Sequence, residues 1–479
     1  MSSNPIVTRF DGLWSRFQPT IGLDLHSLYL HPERVPKAVR AAPEVQHYIN
    51  LLGPLDWTAF PERNLQRNYG QPSTPYAALA AACLVKLERG IGSCAELVSW
   101  LAERPSMAWL LGFRPAPGDF NPAWRFSMAG LPDQRHFSRL LHKVPNACFQ
   151  FLLGNSVQAL LAEFARRSIA VPDTVSLDTK HILAWVKENN PKSYVTGRFD
   201  KTKQPAGDLD CKLGCKRRHN RRKVGEPAPA GTPTTNPVPG EMIKVGEYYW
   251  GYASGVAAIK VPGWGEFVLA ELTQTFDRPD VSYFFPLMAV VEQRLGHKPR
   301  FGTLDAAFDA FYVYDYFHQA GGFAAVPFAE KGKTIHRQFN PAGLPLCAAG
   351  LPMPLMATHW DRSTAIIEYE RGQYACPLFF PDPTGEPCPI HDEHWARGGC
   401  VTTIATSIGA RIRHQLPRDS EAYKQIYQQR TAVERIFSQA KALGIERPKL
   451  RNGQAIANLN TLIYTLINLR LLQRIKQQA

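Results

Sequence analysis

The sequence predicts an α/β fold: a mixed five-stranded sheet with helices, preceded by an all-α N-terminal domain and carrying a β-rich insertion. Three observations predict it. From Val171 to Ala329 the apolar pattern switches between strand and helix periods, in the order strand, strand, strand, helix, strand, helix, strand. Aspartates stand in the middle of the first of these strands and at the end of the fourth, Asp178 and Asp305. A later helix at 421–443, EAYKQIYQQRTAVERIFSQAKAL, brings a third acid, Glu434.

With 479 residues, 44% hydrophobic and 20% charged, the chain can build real cores, and its length suits roughly two or three domains. A net charge of +14 favours a polyanionic partner, nucleic acid first. The start, MSSNPIVTRFDGLW, lacks an apolar signal core. The most apolar stretch, 459–472, is broken by Asn460, Thr461, Thr465, Asn468 and Arg470, so it reads as a packed helix, and no membrane is expected. Nine scattered cysteines do not make a disulfide framework. A reducing, cytoplasmic setting is the expectation. No G-x-G-x-x-G, G-x-x-x-x-G-K-[ST] or H-E-x-x-H motif supports a metabolic enzyme.

Residues 1–40 are punctuated by prolines and show no clear period. Tyr76 to Phe113 reads as helices, LPDQRHFSRLLHKV (131–144) starts with a Pro-Asp signal and turns amphipathic, and a longer helix covers about 146–167. This defines the helical domain, 1–168. VPDTVSLDTKHILAWV alternates as a buried strand around Asp178. A carboxylate there is costly unless paired or bound to metal, whereas Asp173 suits a turn cap. Residues 212–223, KLGCKRRHNRRK, carry seven Lys or Arg and no acid, and 226–240 carry five prolines. They read as a basic arm and a stiff linker inside an insertion at 201–240, able to lie along a phosphate backbone or to stay a solvated loop. EYYWGYASGVAAIK (247–260) and EFVLAELTQTF (266–276) form a hairpin pattern. Helix 279–296, strand 300–308, helix 307–320 and strand 321–329 close the segment 169–330.

That element order is the order of an RNase H-like core, in which the first and fourth strands are neighbours. Asp178 and Asp305 can then converge, and the helix at 421–443 would cross the sheet with Glu434. The segment 331–415 is too long for a plain loop and holds alternating pieces such as STAIIEYERGQYACP, so it reads as a β-rich inserted subdomain. Residues 416–479 supply the charged helix and a packing helix.

In the charged helix, Ile426, Val433, Ile436, Phe437, Ala440 and Leu443 share an apolar side. Arg430, Glu434 and Lys441 lie three, seven and fourteen residues beyond Tyr427, which places all four within an arc of roughly 60°. A solvated charged face is the ordinary reading of such a set. The spacing Y-x2-R-x3-E-x6-K, however, should arise by chance in such a chain on the order of a few times in a thousand. It resembles the C-terminal catalytic helix of the DDE insertion-sequence transposases that carry a Y-R-E-K motif, and the continuation IERPKLRNGQAIANLNTLIYTLINLRLL resembles their C-terminal end.

The resemblance implies cut-and-paste DNA transposition by phosphodiester hydrolysis and strand transfer. It implies Asp178, Asp305 and Glu434 as ligands of two Mg²⁺ (or Mn²⁺) ions, which suit oxygen donors. Tyr427, Arg430 and Lys441 would contact the DNA backbone. Asp309 and Asp315 are weaker rivals to Asp305. Further DNA contacts are expected from Arg217, Arg218, Arg221, Arg222 and Lys223 in the arm, and from Arg135, His136 and Arg139 in the helical domain, where an ordinary exposed face is the alternative. The partners implied are double-stranded DNA (terminal inverted repeats and target) and a second copy of the chain, a homodimer on DNA.

Cys376, Cys388, His391, His394 and Cys400 cluster in sequence. Cys-x2-His at 388–391 can suit a structural zinc held by Cys376, Cys388, His391 and Cys400, or the residues are unrelated members of a Pro-rich loop. Cys211 and Cys215 suit zinc less well. The same three acids would also serve an RNase H-like nuclease without strand transfer, and an inactive DNA-binding derivative is a further alternative.

Overall fold

A computed structural model describes residues 25–60, 74–113, 131–221, 242–329, 336–363 and 366–478. Its sheet is built on β3 (Met242–Val261), β1 (Thr174–Leu183), β4 (Gly265–Thr275), β5 (Phe301–Leu304) and β6 (Phe323–Ala325), in the order β4-β3-β1-β5-β6. β1 and β4 run antiparallel to β3, while β5 is parallel to β1 and β6 to β5. β2 (Lys212–Arg221) pairs with the first half of β3, Met242–Gly251.

Period-2 alternation decides which side chains meet which layer. On β3, Trp250, Tyr252, Val256 and Ala258 face one cluster, and Tyr249, Ala253, Ala257 and Ile259 face the other. Both faces are therefore covered by helices, the arrangement expected where a sheet has apolar residues on both sides. Gly251 sits where β3 is hemmed in: a Cβ there would lie 2.1 Å from the Ile182 carbonyl oxygen.

The helices that precede the sheet in sequence gather in the cluster on the first face, where the last helix, Gly453–Gln477, lies between most of them and the strands. Among the described residues these preceding helices are α1 (Leu25–Leu30), α2 (Lys37–Arg40), α3 (Pro43–Leu52), α4 (Tyr76–Glu88), α5 (Cys94–Ala102), α6 (Pro105–Leu110), α7 (Gln134–Lys143) and α8 (Asn146–Arg166). Ser93 and Glu96 form a reciprocal capping box at α5, and the Asp133 carboxylate caps α7. α1 and α2 lie within residues 1–40, where no clear period could be read. Their buried residues join one cluster with Trp250, Tyr252, Val256 and the last helix. On the second face lie α9 (Phe284–Leu295) and α10 (Phe311–Gln319).

Three segments depart from expectation. The basic arm is β2, not an irregular arm: Arg217, Arg218 and Arg221 pair in register with Gly246, Val245 and Met242, while Arg222, Lys223 and the linker lie outside the described residues. The strand expected at 300–308 ends at Leu304, because the Asp305 side chain accepts from the Ala307 amide and opens a 3-10 turn, Ala306–Phe308. The helix expected at 307–320 accordingly starts at Phe311.

The segment 336–405 contains a three-stranded antiparallel sheet, β7 (Leu355–Asp361), β8 (Tyr369–Ala375) and β9 (Val401–Ala405). It returns to the main sheet through α11 (Ile408–Gln415), fastened by Arg413 on Asp309 at 2.6 Å and by the Gly409 amide on Asp315 at 2.6 Å. Asp309 also accepts from Tyr314 and from the Ala329 amide. These two rivals of Asp305 are thus occupied in holding the fold. His414, beside Arg413 and packed on Phe328, is held down to about 4, by burial first and then by the Arg413 charge. Its folded pKa lies below the ordinary value of about 6.5. The fold therefore excludes that proton, and stability should fall as pH drops from about 6.5 towards 4. A His414 ring resonance titrating by NMR at its ordinary pKa would contradict this.

α12 (Glu421–Tyr427), a 3-10 turn (Gln428–Arg430) and α13 (Thr431–Ala442) replace the single helix expected at 421–443. α14 (Gly453–Gln477) ends the chain's described part. By length and mean hydropathy it could cross a membrane, contrary to the expectation that no stretch approaches that length, yet 83% of its apolar window is buried inside the protein. Its polar residues Asn458, Asn460, Thr461, Thr465 and Asn468 are all fully buried.

Candidate active site

β5 pairs only with Thr174–Leu177 of β1. Beyond Leu177 a crevice of about 1170 Å³ opens across the end of β1, lined by Asp178, Lys180, His181, Phe276, Asp280 and Asp305 among others, with Cys215 and Tyr249 from β2 and β3. It lies outside the carboxyl ends of adjacent parallel strands, where open α/β sheets place ligands.

Asp178 is on the β1 face that carries Ser176, Lys180 and Ile182. Its Oδ1 accepts from the Thr179 amide at 2.7 Å, and its Oδ2 lies 3.5 Å from Arg430. The carboxyl group is pushed up to about 7, by burial first and then by the charge of Asp305. The Thr179 amide and Arg430 pull the other way, and Asp280 adds a further repulsion. Asp280 in turn accepts from the Thr179 hydroxyl at 2.7 Å. Asp305 accepts from the Ala307 amide at 2.8 Å.

The sheet itself shapes the helix that brings Glu434. Ser176 Oγ donates to the Gln429 carbonyl at 2.7 Å and Thr303 Oγ1 to the Tyr427 carbonyl at 3.3 Å. Two hydroxyls, one on β1 and one on β5, thus draw helix carbonyls onto the sheet at the place where α-helix gives way to a 3-10 turn. Ala432, Val433, Ile436, Phe437 and Ala440 bury the inner side of α13.

Arg430 lies between two acids, donating to Glu434 and standing beside Asp178. Its guanidinium also approaches the Tyr427 ring, 5.9 Å from the centroid, and Tyr427 stacks on Tyr423 at 5.7 Å. Lys441 is 3.5 Å from Glu446, which also pairs with Lys180. Burial pushes the Glu446 carboxyl up, but Lys180 and Lys441 hold it below its ordinary value. The structure therefore brings together Asp178, Asp305, Arg430 and Glu434, with Tyr427 stacked beside Arg430 and Lys441 at the neighbouring Glu446 pair. Lys180, Asp280 and Glu446 were not singled out in the sequence. Lys180 was findable, because a residue two beyond Asp178 shares its strand face.

The half-buried, mutually repelling pair of Asp178 and Asp305 fits a divalent cation. As arranged, however, one Glu434 oxygen is taken by Arg430, and among the described residues no three His, Cys, Asp or Glu side chains surround a common point that could hold an ion. The Arg430 guanidinium supplies part of the charge such an ion would bring. Arg430→Ala should raise the Mn²⁺ affinity of the DNA-free protein about tenfold, the size of one charged hydrogen bond. Calorimetric titration checks this, and an unchanged affinity would show that Arg430 does not compete for the acids.

Arg135, His136 and Arg139 are all exposed on α7. Among the described residues the expected zinc set does not surround a common point. Cys376 and Cys388 are buried with Leu378, and Cys400 packs on them, its thiol pushed up to about 12 by burial first and then by Cys376 and Cys347. His391, by contrast, is exposed in a left-handed turn, φ 49°. Cys211 is buried just before β2 and Cys215 is exposed on it. Four residues along a strand stand about 13 Å apart, too far to share an ion.

No protein-family profile matches the chain, and no curated protein matches it. Among solved structures, a piggyBac transposase synaptic complex with hairpin DNA aligns over 93% of this chain and 84% of its own, at 9% identity and a TM-score of 0.31. A Mos1 transposase paired-end complex with the left transposon end aligns over 54% of this chain and 61% of its own, at 14% identity and a TM-score of 0.16. Overlaps of this size are below what a shared fold gives.

Proposed function

We propose that the chain is a DNA transposase with an RNase H-like core, acting by phosphodiester hydrolysis and strand transfer in cut-and-paste transposition. One observation carries the reading: acids from β1 and from the end of β5 share a crevice, and a helix bearing Tyr427, Arg430 and Glu434 is fastened across those two strands by Ser176 and Thr303. The strand order, with three antiparallel strands followed by two parallel ones, supports the RNase H-like core.

Asp178, Asp305 and Glu434 would hold two Mg²⁺ (or Mn²⁺) ions, which when bound activate an attacking oxygen and neutralise the leaving one. Arg430 is placed to exchange its two carboxylate partners for a DNA phosphate, which would free Glu434. Lys180 and Lys441, coupled through Glu446, give a second cationic point beside the crevice. Tyr427 stiffens the helix face by stacking on Tyr423. The exposed cations of α7 and the arginines of β2 are candidate contacts to the element's inverted repeats, with a homodimer pairing two ends.

The test uses purified protein, labelled DNA with the inverted repeats that flank the gene, supercoiled target, and Mg²⁺ or EDTA. Joined product that needs the cation and is lost in Glu434→Gln is expected. Cleavage without joining would leave a nuclease, and DNA binding without chemistry in either protein would leave an inactive derivative.

A further inference from the structure

Between β1 and β2 the chain makes a long excursion, residues 184–211, and its side chains are sorted unusually. The polar groups tie it down. The Asn189 amide bonds to both the Trp250 N–H and C=O and to the Ala184 carbonyl. The Trp250 indole donates to the Arg198 carbonyl at 2.7 Å, and the Tyr252 hydroxyl donates to buried Asp208 at 2.8 Å. The aromatic rings do the opposite. Tyr194 is 94% exposed, Trp185 51% and Phe199 44%, and Phe199 lies against Tyr248 on β3, itself 47% exposed, at 6.4 Å. An ordered segment that buries its polar anchors and leaves large rings in water marks an interaction surface.

Charge and position choose the partner. Of the exposed charged side chains between 185 and 212, Lys187, Lys192, Lys201, Lys203 and Lys212 are cations and Asp210 is an acid, while a second acid, the part-exposed Asp200, is paired with Lys203. Arg451 adds a guanidinium 4.9 Å from the Trp185 ring. Protein interfaces are poor in lysine. Aromatic rings set among lysines are what unpaired nucleic acid uses, the cations tracking phosphates and the rings stacking on bases. The surface reaches the crevice at Lys201, two residues beyond Phe199, which lines it; Glu247 and Tyr249 line it too, from the β3 face opposite to Tyr248.

We infer that Trp185, Tyr194, Phe199 and Tyr248 form a stacking platform for unpaired DNA bases beside the catalytic crevice. The inference rests on the proposed transposase reading for its biological setting, but not for its test. Stacking on one ring changes affinity by roughly five- to hundredfold.

The experiment measures metal-free binding by fluorescence anisotropy, so no chemistry is needed and failure of the transposase reading cannot mimic failure of the platform. Full-length wild type, Trp185→Ala/Tyr194→Ala and the conservative Trp185→Phe/Tyr194→Phe bind a blunt duplex and the same duplex with a short single-stranded end. The alanine variant should lose at least about tenfold for the single-stranded end, keep its blunt-duplex affinity, and keep the wild-type salt slope, since no cation is removed. The phenylalanine variant should restore binding. Equal binding of both DNAs by wild type and alanine variant would overturn the platform. So would an alanine variant that binds normally but changes from dimer to monomer in sedimentation, which would make this face a contact between copies of the chain.

Discussion

Asp178→Asn should abolish cation-dependent DNA cleavage and at the same time stabilise the cation-free protein above neutral pH. The first effect follows from its place in the crevice with Asp305 and beside Arg430. Loss of a preorganised polar group at a reacting centre costs about 10²–10³-fold in rate. The second follows from its electrostatics. Its pKa is raised from 3.8 to about 7, by burial and by Asp305, so the folded protein prefers the protonated form. For an acid shifted in that direction, stability is full below the unfolded pKa and is lost as pH rises towards the folded one. The gap in Tm between variant and wild type should therefore be small near pH 4, open as pH rises to about 7, and stay open above it. Adding Mn²⁺ at pH 8 should close the gap by raising the wild type alone. If Mn²⁺ raised both proteins equally, or if the variant were less stable at every pH, Asp178 would be a structural acid and the proposed ion site would be wrong. A site that weakens the fold until its ligand arrives is the usual balance between stability and function, and the opposite pH slopes separate it from ordinary destabilisation.

What the sequence made legible was local. β1 reads as a strand because Val175 and Leu177 alternate with the polar Thr174, Ser176 and Asp178, and the acid Asp178 in its middle stood out for its cost of burial. The spacing of Tyr427, Arg430 and Glu434 put them on one face, and the structure puts them together. What was not legible depends on partners distant in sequence. The turn at Gln428–Arg430 follows from Ser176 and Thr303, more than a hundred residues earlier, so helix periodicity alone gave one unbroken helix. KLGCKRRHNR looks like a solvated arm because it lacks apolar alternation, and it becomes β2 because β3 is long enough to give it a backbone partner. Of the expected zinc set, Cys376, Cys388 and Cys400 pack together while His391 ends on the surface, because nearness in sequence says nothing of side-chain direction.

The most instructive misreading lies in α14, where polar residues mattered as breaks in an apolar run but prove to be its connections. Asn468, fully buried, accepts from the Val268 amide at 2.8 Å and donates to the Val268 carbonyl at 2.9 Å and to Ser156 at 3.0 Å. Its amide thus does for β4 what a neighbouring strand would do, in the middle of a packed interface with α8. Thr465, one turn earlier and equally buried, bonds to the Thr461 carbonyl of its own helix. The two residues have the same exposure and opposite expectations. Asn468→Leu leaves a buried amide and a buried carbonyl without partners, each costing about 1–3 kcal/mol, so a loss of roughly 3–5 kcal/mol is expected from two such groups. Thr465→Val removes a bond that its helix does not need and should cost less than about 1 kcal/mol. Urea unfolding of both variants followed by the same probe measures the contrast. Equal losses would mean that burial alone, and not the bond to Val268, makes Asn468 matter, and the polar residues of α14 would then be breaks in an apolar helix after all.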